Sequence, residues 1–254
     1  MVGRQYLRVV KLGGSLLTWA PVWEQFAAWQ ARQAAARCVV VVGGGPWVEL
    51  LRQGASRFRL DEAESHRLCL RAMSLTARLM AACVPEARLI SNLATLAGAK
   101  GAGAKGAGDK ADCDQSRILL VLDAEEFLHF DEPKLPGTRL PANWSVTSDS
   151  IAARVAACLS ADELVLLKSQ LPPPALAAAG PEKGLPASHR EALLTAVGGG
   201  ELLLGWSAAG FTDGFFPQVA RGLPRIRVVN LRETTGVERG VIPNSLPGTG
   251  PTNA

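Results

Sequence analysis

The chain has 254 residues, 48% of them hydrophobic, and a formal net charge of +4. That length supports one large core, or one core with a small lobe, and so mild a charge gives no reason to expect a nucleic-acid partner. No run reaches the roughly 18 apolar residues that a membrane helix needs, and Lys11 with two glycines interrupts the first apolar stretch, so no signal peptide is read there.

In chain order, residues 7–12 predict a buried strand and residues 21–37 a helix, with Pro21 at its first turn and Trp23, Phe26, Ala27 and Gln30 along one side. Residues 38–42 predict a second buried strand, and residues 46–53 a short helix after a triple glycine. A strong helix follows over 61–83, with Asp61 as N-cap, Glu64 three residues on, and Leu68, Met73, Leu75 and Leu79 at helical spacings. Residues 87–91 predict a strand. The near-repeat of Gly, Ala and Lys over 97–111 predicts a mobile surface loop.

Further on, residues 117–122 predict a strand, 131–141 an irregular connection, 149–159 a helix and 163–168 a strand. Residues 171–188 are Pro- and Ala-rich loop, 189–197 predict a short helix and 200–204 a short apolar segment. Residues 213–221 predict a helix, 226–230 the last strand, and 242–254 a flexible tail. Residues 1–241 form a single domain in this reading. Strands alternating with helices imply a mostly parallel sheet covered on both faces.

Five cysteines, Cys38, Cys69, Cys83, Cys113 and Cys158, show no metal-ligand spacing. They read as reduced core residues of a cytoplasmic protein, and no metal site is predicted. Eight basic residues stand against two acidic ones in the first 60 positions. A solvated basic face and a field that attracts anions both remain open.

The chemistry concentrates at strand ends. Lys11-Leu12-Gly13-Gly14-Ser15 follows the first strand, Gly43-Gly44-Gly45-Pro46 the second, and Lys168-Ser169 the strand over 163–168. Ligands bind outside the carboxyl ends of such strands, so these segments can meet although they are far apart in sequence. Glycine loops let backbone N–H groups approach phosphate, and Lys11 adds a mobile positive charge. In Thr147-Ser148-Asp149-Ser150 a cap for the following helix coincides with an aspartate able to hold a lysine in place. Neither glycine loop is GxxxxGK[ST] or GxGxxG, which argues against a dinucleotide-binding oxidoreductase.

Together these four segments, with Leu164-Val165-Leu166-Leu167 leading into Lys168, resemble the amino acid kinase family. The resemblance implies a three-layer αβα fold and direct transfer of the γ-phosphoryl of ATP, with Mg2+, to a carboxylate or phosphate. It places the acceptor at the N-terminal half and the nucleotide at the C-terminal half. It implies that Lys11, Asp149 and Lys168 are catalytic, and that Gly13, Gly14, Ser15, Lys168, Ser169 and Asp213 bind the nucleotide. Gly43, Gly44, Gly45, His66 and Thr147 would bind the acceptor.

Asp61-Glu62-Ala63-Glu64-Ser65-His66, Arg71-Ala72-Met73, Trp144 and Asp213-Gly214-Phe215-Phe216-Pro217 are further similar to the small kinases of methanofuran biosynthesis. That likeness implies a furan-methyl phosphate acceptor in tetrahydromethanopterin-linked one-carbon metabolism. A carboxylate or nucleoside monophosphate acceptor, and a non-catalytic nucleotide-binding homologue, stay open as alternatives. Many family members carry a later glycine-rich segment with a second lysine. Here no lysine follows Lys183, so the second cation must come from elsewhere, with Lys168 the candidate. Homo-oligomers are common in the family, and the helices over 21–37 and 61–83 offer apolar surface for one.

Overall fold

A computed structural model describes residues 5–95, 118–173, 191–195 and 200–233. The predicted loop over 97–111, the tail over 242–254, Cys113 and most of the Pro- and Ala-rich stretch lie outside these residues. The strands are β1 (Leu7–Leu12), β2 (Arg37–Val42), β3 (Ala87–Ile90), β4 (Ile118–Leu122), β5 (Glu163–Lys168), β6 (Glu191–Thr195) and β7 (Arg225–Asn230). They form one sheet in the order β3-β4-β2-β1-β5-β7-β6. Every pairing is parallel except β6 with β7.

The inner strands are near-continuous apolar runs because both faces of the sheet are covered. Along β1 the side chains alternate: Val9 enters one core, Val10 and Leu12 the other. The first core is closed by Ile151 and Val155 of α4 (Ser148–Cys158), Leu203 and Trp206 of α5 (Gly200–Ala208) and Phe216 and Val219 of α6 (Phe216–Ala220). The second is closed by Phe26 and Trp29 of α1 (Val22–Arg32) and by Ala77 and Met80 of α3 (Glu62–Cys83). The result is the expected three-layer αβα sandwich. Each fully buried side chain of this size contributes about 1.5–3 kcal/mol.

Several elements depart from the sequence reading. Helix α1 ends at Arg32, and its inward stripe is Val22, Phe26 and Trp29, because both registers of this Trp- and Ala-rich segment are apolar. Ala27 is exposed, while Trp23 and Gln30 are only half-buried. Helix α2 (Gly45–Phe58) has 14 residues and runs five residues past the predicted end at 53. Residues 191–195 are a strand pairing antiparallel to β7 rather than a helix, and the apolar segment after residue 200 is helical. Helix α3 has Asp61 as N-cap, accepting from the Glu64 amide at 2.7 Å, as expected. It leaves Leu75 and Leu79 outward, however. Cys83 is exposed, so it is no core residue.

At the sheet end opposite the glycine loops, one carboxylate answers three guanidinium groups. Glu163 lies 2.8 Å from Arg8, 3.2 Å from Arg225 and 3.1 Å from Arg227. Its side chain is 2% exposed, against 5% for Arg8 and 10% for Arg227. Removing the carboxylate strands two buried cations beside each other. Glu163→Ala should therefore cost about 3–5 kcal/mol in urea unfolding, and a loss below about 1 kcal/mol would show that solvent already neutralises the cluster.

Candidate active site

Strands β1 and β5 are neighbours, with Lys11 opposite Leu166 and Leu12 opposite Leu167. Lys11 and Lys168 therefore leave the same edge of the sheet, and Asp149 reaches them from the first turn of α4. The Lys11 Nζ lies 3.0 Å from Asp149 Oδ1, and the Lys168 Nζ donates to Oδ2 at 2.8 Å. The three side chains are only 7%, 12% and 7% exposed for Lys11, Lys168 and Asp149. Burial pushes the Asp149 carboxyl up, but the two ammonium groups outweigh it and hold it below its ordinary value. Burial, joined by repulsion from Lys11, brings Lys168 down to about 8, against the pull of Asp149 and Asp213. The cluster keeps one net positive charge while Lys168 holds its proton.

Lys168 is further cradled by Phe211. The ammonium donates to the Phe211 carbonyl and sits 4.5 Å from the centre of its ring. That ring is fixed edge-on against buried Trp206 of α5, 5.5 Å away.

Thr147 caps α4, its Oγ1 accepting from the Asp149 amide at 3.4 Å. The capping is shared with Asp213. Its Oδ2 accepts from the Thr147 amide at 2.9 Å, the Thr147 hydroxyl at 2.7 Å and the Ser150 amide at 3.0 Å. Its Oδ1 accepts from the Ser150 hydroxyl and from the amides of Phe215 and Phe216, at 3.1 and 2.9 Å. Asp213, predicted to bind nucleotide, is thus fully engaged in tying α4 to α6.

The glycine loops pack backbone against backbone. A Cβ on Gly14 would lie 2.6 Å from the Gly45 nitrogen, and one on Gly43 2.7 Å from the Gly14 nitrogen. Gly45 also has φ +57°, which favours glycine. The Gly13 amide, predicted to face phosphate, is instead donated to the Leu167 carbonyl at 2.8 Å, and that of Gly43 to Leu12 at 2.9 Å. Gly14 and Gly45 open the 3-10 turn Gly14–Thr18 and α2, so the two helix starts meet at this contact.

A cleft of about 660 Å³ runs along these loops. One end is lined by Ser15, Ser169 and Arg232, with the two serine hydroxyls 3.0 Å apart. Gly14, Gly43, Gly44, Gly45 and Ser148 line the middle, and Thr147 lines it beside them. Arg52, His66, Leu70, Met73 and Trp144 also line the cleft, with Met73 3.5 Å from where a Cβ on Gly44 would lie. Lys11, Asp149 and Lys168 stand behind the lining, next to Ser148 and Ser169. His66 is buried, and burial lowers its pKa against the opposing influence of Asn143 and Glu62. The Trp144 amide donates to Glu62 at 2.9 Å, and the Arg52 guanidinium lies 5.1 Å from its ring centre. Among the described residues no three His, Cys, Asp or Glu converge as a metal cage, and no helix is long and apolar enough to cross a membrane.

Sequence reasoning overlooked Phe211, Arg52 and the bridging role of Asp213. Arg52 carried a usable signal: it lies seven residues after Gly45, two turns along the same helix face.

A family model described as the amino acid kinase family matches residues 7–170. Among solved structures, a uridylate kinase from Archaeoglobus fulgidus is similar with TM-score 0.51 and 15% identity, over 87% of this chain and 99% of that one. A UMP kinase from Bacillus anthracis is similar with TM-score 0.53 and 14% identity, over 92% of this chain and 90% of that one. These two likenesses are of fold. None of the curated proteins compared matches the chain.

Truncating Asp213 leaves several amides and hydroxyls without an acceptor. Asp213→Ala should cost roughly 2–4 kcal/mol, read as a lowered Tm without ligand. An unchanged Tm with weakened ATP binding would instead make Asp213 a nucleotide ligand.

Proposed function

Because this chain belongs to the amino acid kinase family, we propose that it is an ATP-dependent phosphotransferase acting on a small phosphorylated acceptor. The observation that carries this reading is the buried Lys11–Asp149–Lys168 cluster at the carboxyl ends of adjacent strands. Phosphoryl transfer needs positioning and positive charge more than covalent help. Asp149 holds both ammonium groups in one place, and their excess charge opposes the negative charge on the transferring group. Lys168 supplies the second cation that no later lysine provides.

The residues fit ATP: two lysines, glycine loops that exclude any Cβ, and Ser15 and Ser169 at the nucleotide end. Mg2+ would arrive on the phosphate oxygens, since it keeps several waters and is usually held through substrate phosphates. The acceptor oxygen forms a bond to the γ-phosphorus as the bond to the β-phosphate oxygen breaks, and ADP leaves. A dianionic phosphate acceptor has no proton to surrender, so no base is required. Gly43, Gly44 and Gly45 shape the acceptor side, with His66 beyond them. The finer reading is a furan-methyl phosphate acceptor serving a one-carbon cofactor, supported by the sequence likeness around Asp61–His66 and Trp144. A cytoplasmic homo-oligomer belongs to the same reading, with Leu75 and Leu79 exposed on α3.

Lys11→Ala leaves a balanced Asp149–Lys168 pair, so it should fold yet lose at least about a hundredfold in ADP release from Mg-ATP and acceptor. Asp149→Asn should cost at least about tenfold. Wild-type turnover in Lys11→Ala would end this assignment.

The pH dependence follows from Lys168. It is charged below about 8 and neutral above, so kcat/KM, which reports the free enzyme, should fall as pH rises through that value. In Lys168→Arg the alkaline limb should disappear, because arginine keeps its charge. Stability moves the other way. Between about 8 and the ordinary 10.5 the unfolded chain binds a proton that the native state lacks, so unfolding free energy rises with pH across that window.

A further inference from the structure

The end of α5 fixes a side chain beside the lysine cluster. Gly210 has φ +68°, its amide donates to the Ser207 carbonyl at 2.9 Å, and the next amide, of Phe211, reaches back to Trp206 at 2.8 Å. In a helix ending of this kind the residue after the glycine packs on a side chain of the last turn. Here that contact is Phe211 on Trp206, with ring planes 71° apart. Trp206 is fully buried and Phe211 nearly so, so the Phe211 ring is held on both sides.

Two parts of Phe211 then fall on Lys168. Its carbonyl accepts from the ammonium, and its ring centre lies 4.5 Å from Nζ. Two residues on, Asp213 holds the start of α4, which carries Asp149, the other acceptor of Lys168. The segment from Gly210 to Asp213 therefore fixes the lysine directly and its counter-charge indirectly. The charged groups that bear on Lys168 are Lys11 from β1, Asp149 from α4 and Asp213 from this segment, and its partner on β7, Asn230, is neutral. Phe211 itself is not among the residues lining the cleft, so it acts through Lys168.

Resting on the kinase reading, we propose that Phe211 is a positioning residue whose ring face keeps the Lys168 ammonium charged and in place beside Asp149. The electron-rich face of an aromatic ring attracts a cation, and a saturated side chain of similar bulk lacks it. Two possible roles of the ring move the lysine in opposite directions. As mere cover, the ring opposes the charged form, because burial does. Trimming a cover would admit water and raise the lysine from about 8 toward its ordinary 10.5. As a cation's partner, the ring favours the charged form, and its loss lowers the lysine further.

The test follows Lys168 by carbon NMR of the full chain isotopically labelled at lysine Cε, its resonance identified by its absence from Lys168→Arg. Phe211→Leu should lower the midpoint of the Lys168 titration by about one pH unit. Phe211→Tyr, which keeps a ring face, should leave it in place. At the pH where the wild-type lysine is half-charged, Mg-ATP titrated calorimetrically should bind Phe211→Leu about fivefold more weakly, and should bind both chains alike about two pH units lower. If Phe211→Leu does not fold, replacing Phe211 by trifluorophenylalanine keeps the shape, drains the ring face and should lower the midpoint too. A midpoint that rises or stays put, or a tyrosine variant that moves as far as the leucine one, overturns the proposal. A lowered midpoint in a chain whose wild type binds no Mg-ATP removes the kinase and keeps the hold of Phe211 on Lys168. Wild-type binding of Mg-ATP with an unmoved midpoint keeps the kinase and removes this role for Phe211.

Discussion

The site depends on one buried carboxylate shared between two ammonium groups. In water, charge pairs at 2.8 and 3.0 Å would be worth little. Here the three side chains are almost covered, so their mutual attraction is strong and the penalty for separating them is large. The consequence is rigidity: Asp149 cannot move without stranding a lysine. The surrounding fold is arranged to keep it there. The β1–β5 pairing delivers both lysines to one edge, the start of α4 delivers the carboxylate where the helix dipole favours a negative charge, and Asp213 pins that helix start to α6.

The cluster is also deliberately unbalanced. Two cations on one anion leave a charge that repels Lys168's own proton. On the kinase reading proposed above, the same imbalance would favour a polyphosphate, whose charge would relieve the repulsion. The Phe211 carbonyl and ring partly offset the cost while the site waits. The Glu163 cluster at the other end of β1, β5 and β7 uses the same arithmetic, one carboxylate to several cations. It lies at the opposite end of these strands and ties them to one another.

Much of this was legible in the residues, and the exceptions share a cause. The inner strands were readable because a parallel sheet covered on both faces demands unbroken apolar runs, as in Cys38–Val42. Lys11, Asp149 and Lys168 were readable because each sits at a strand end or a helix cap, where topology brings distant segments together. Residues 191–195 were misread because Glu-Ala-Leu-Leu suits a helix locally, and only pairing with β7 makes it a strand. Helix α2 was read short because Trp47, Leu50 and Phe58 stay exposed, so its apolar stripe does not mark the buried side. The role of Asp213 left no local trace: its partners Thr147 and Ser150 lie 66 and 63 residues away.

The basic excess of the first 60 residues left two readings open, and the fold divides it between them. Arg8 is paired with Glu163 at the opposite end of the sheet from the glycine loops. Arg57 and Arg59 are exposed. Among the described ones, Lys11 and Arg52 belong to the cleft region, one behind the glycine loops and one along α2. Any field in the cleft therefore comes from a few fixed groups at short range, whereas the overall charge of +4 is diluted over the surface and screened by salt within about 10 Å. Within the cleft, α3 contributes Cys69, Leu70 and Met73 beside His66, so its share of the lining is largely apolar while the fixed charges stand on other elements.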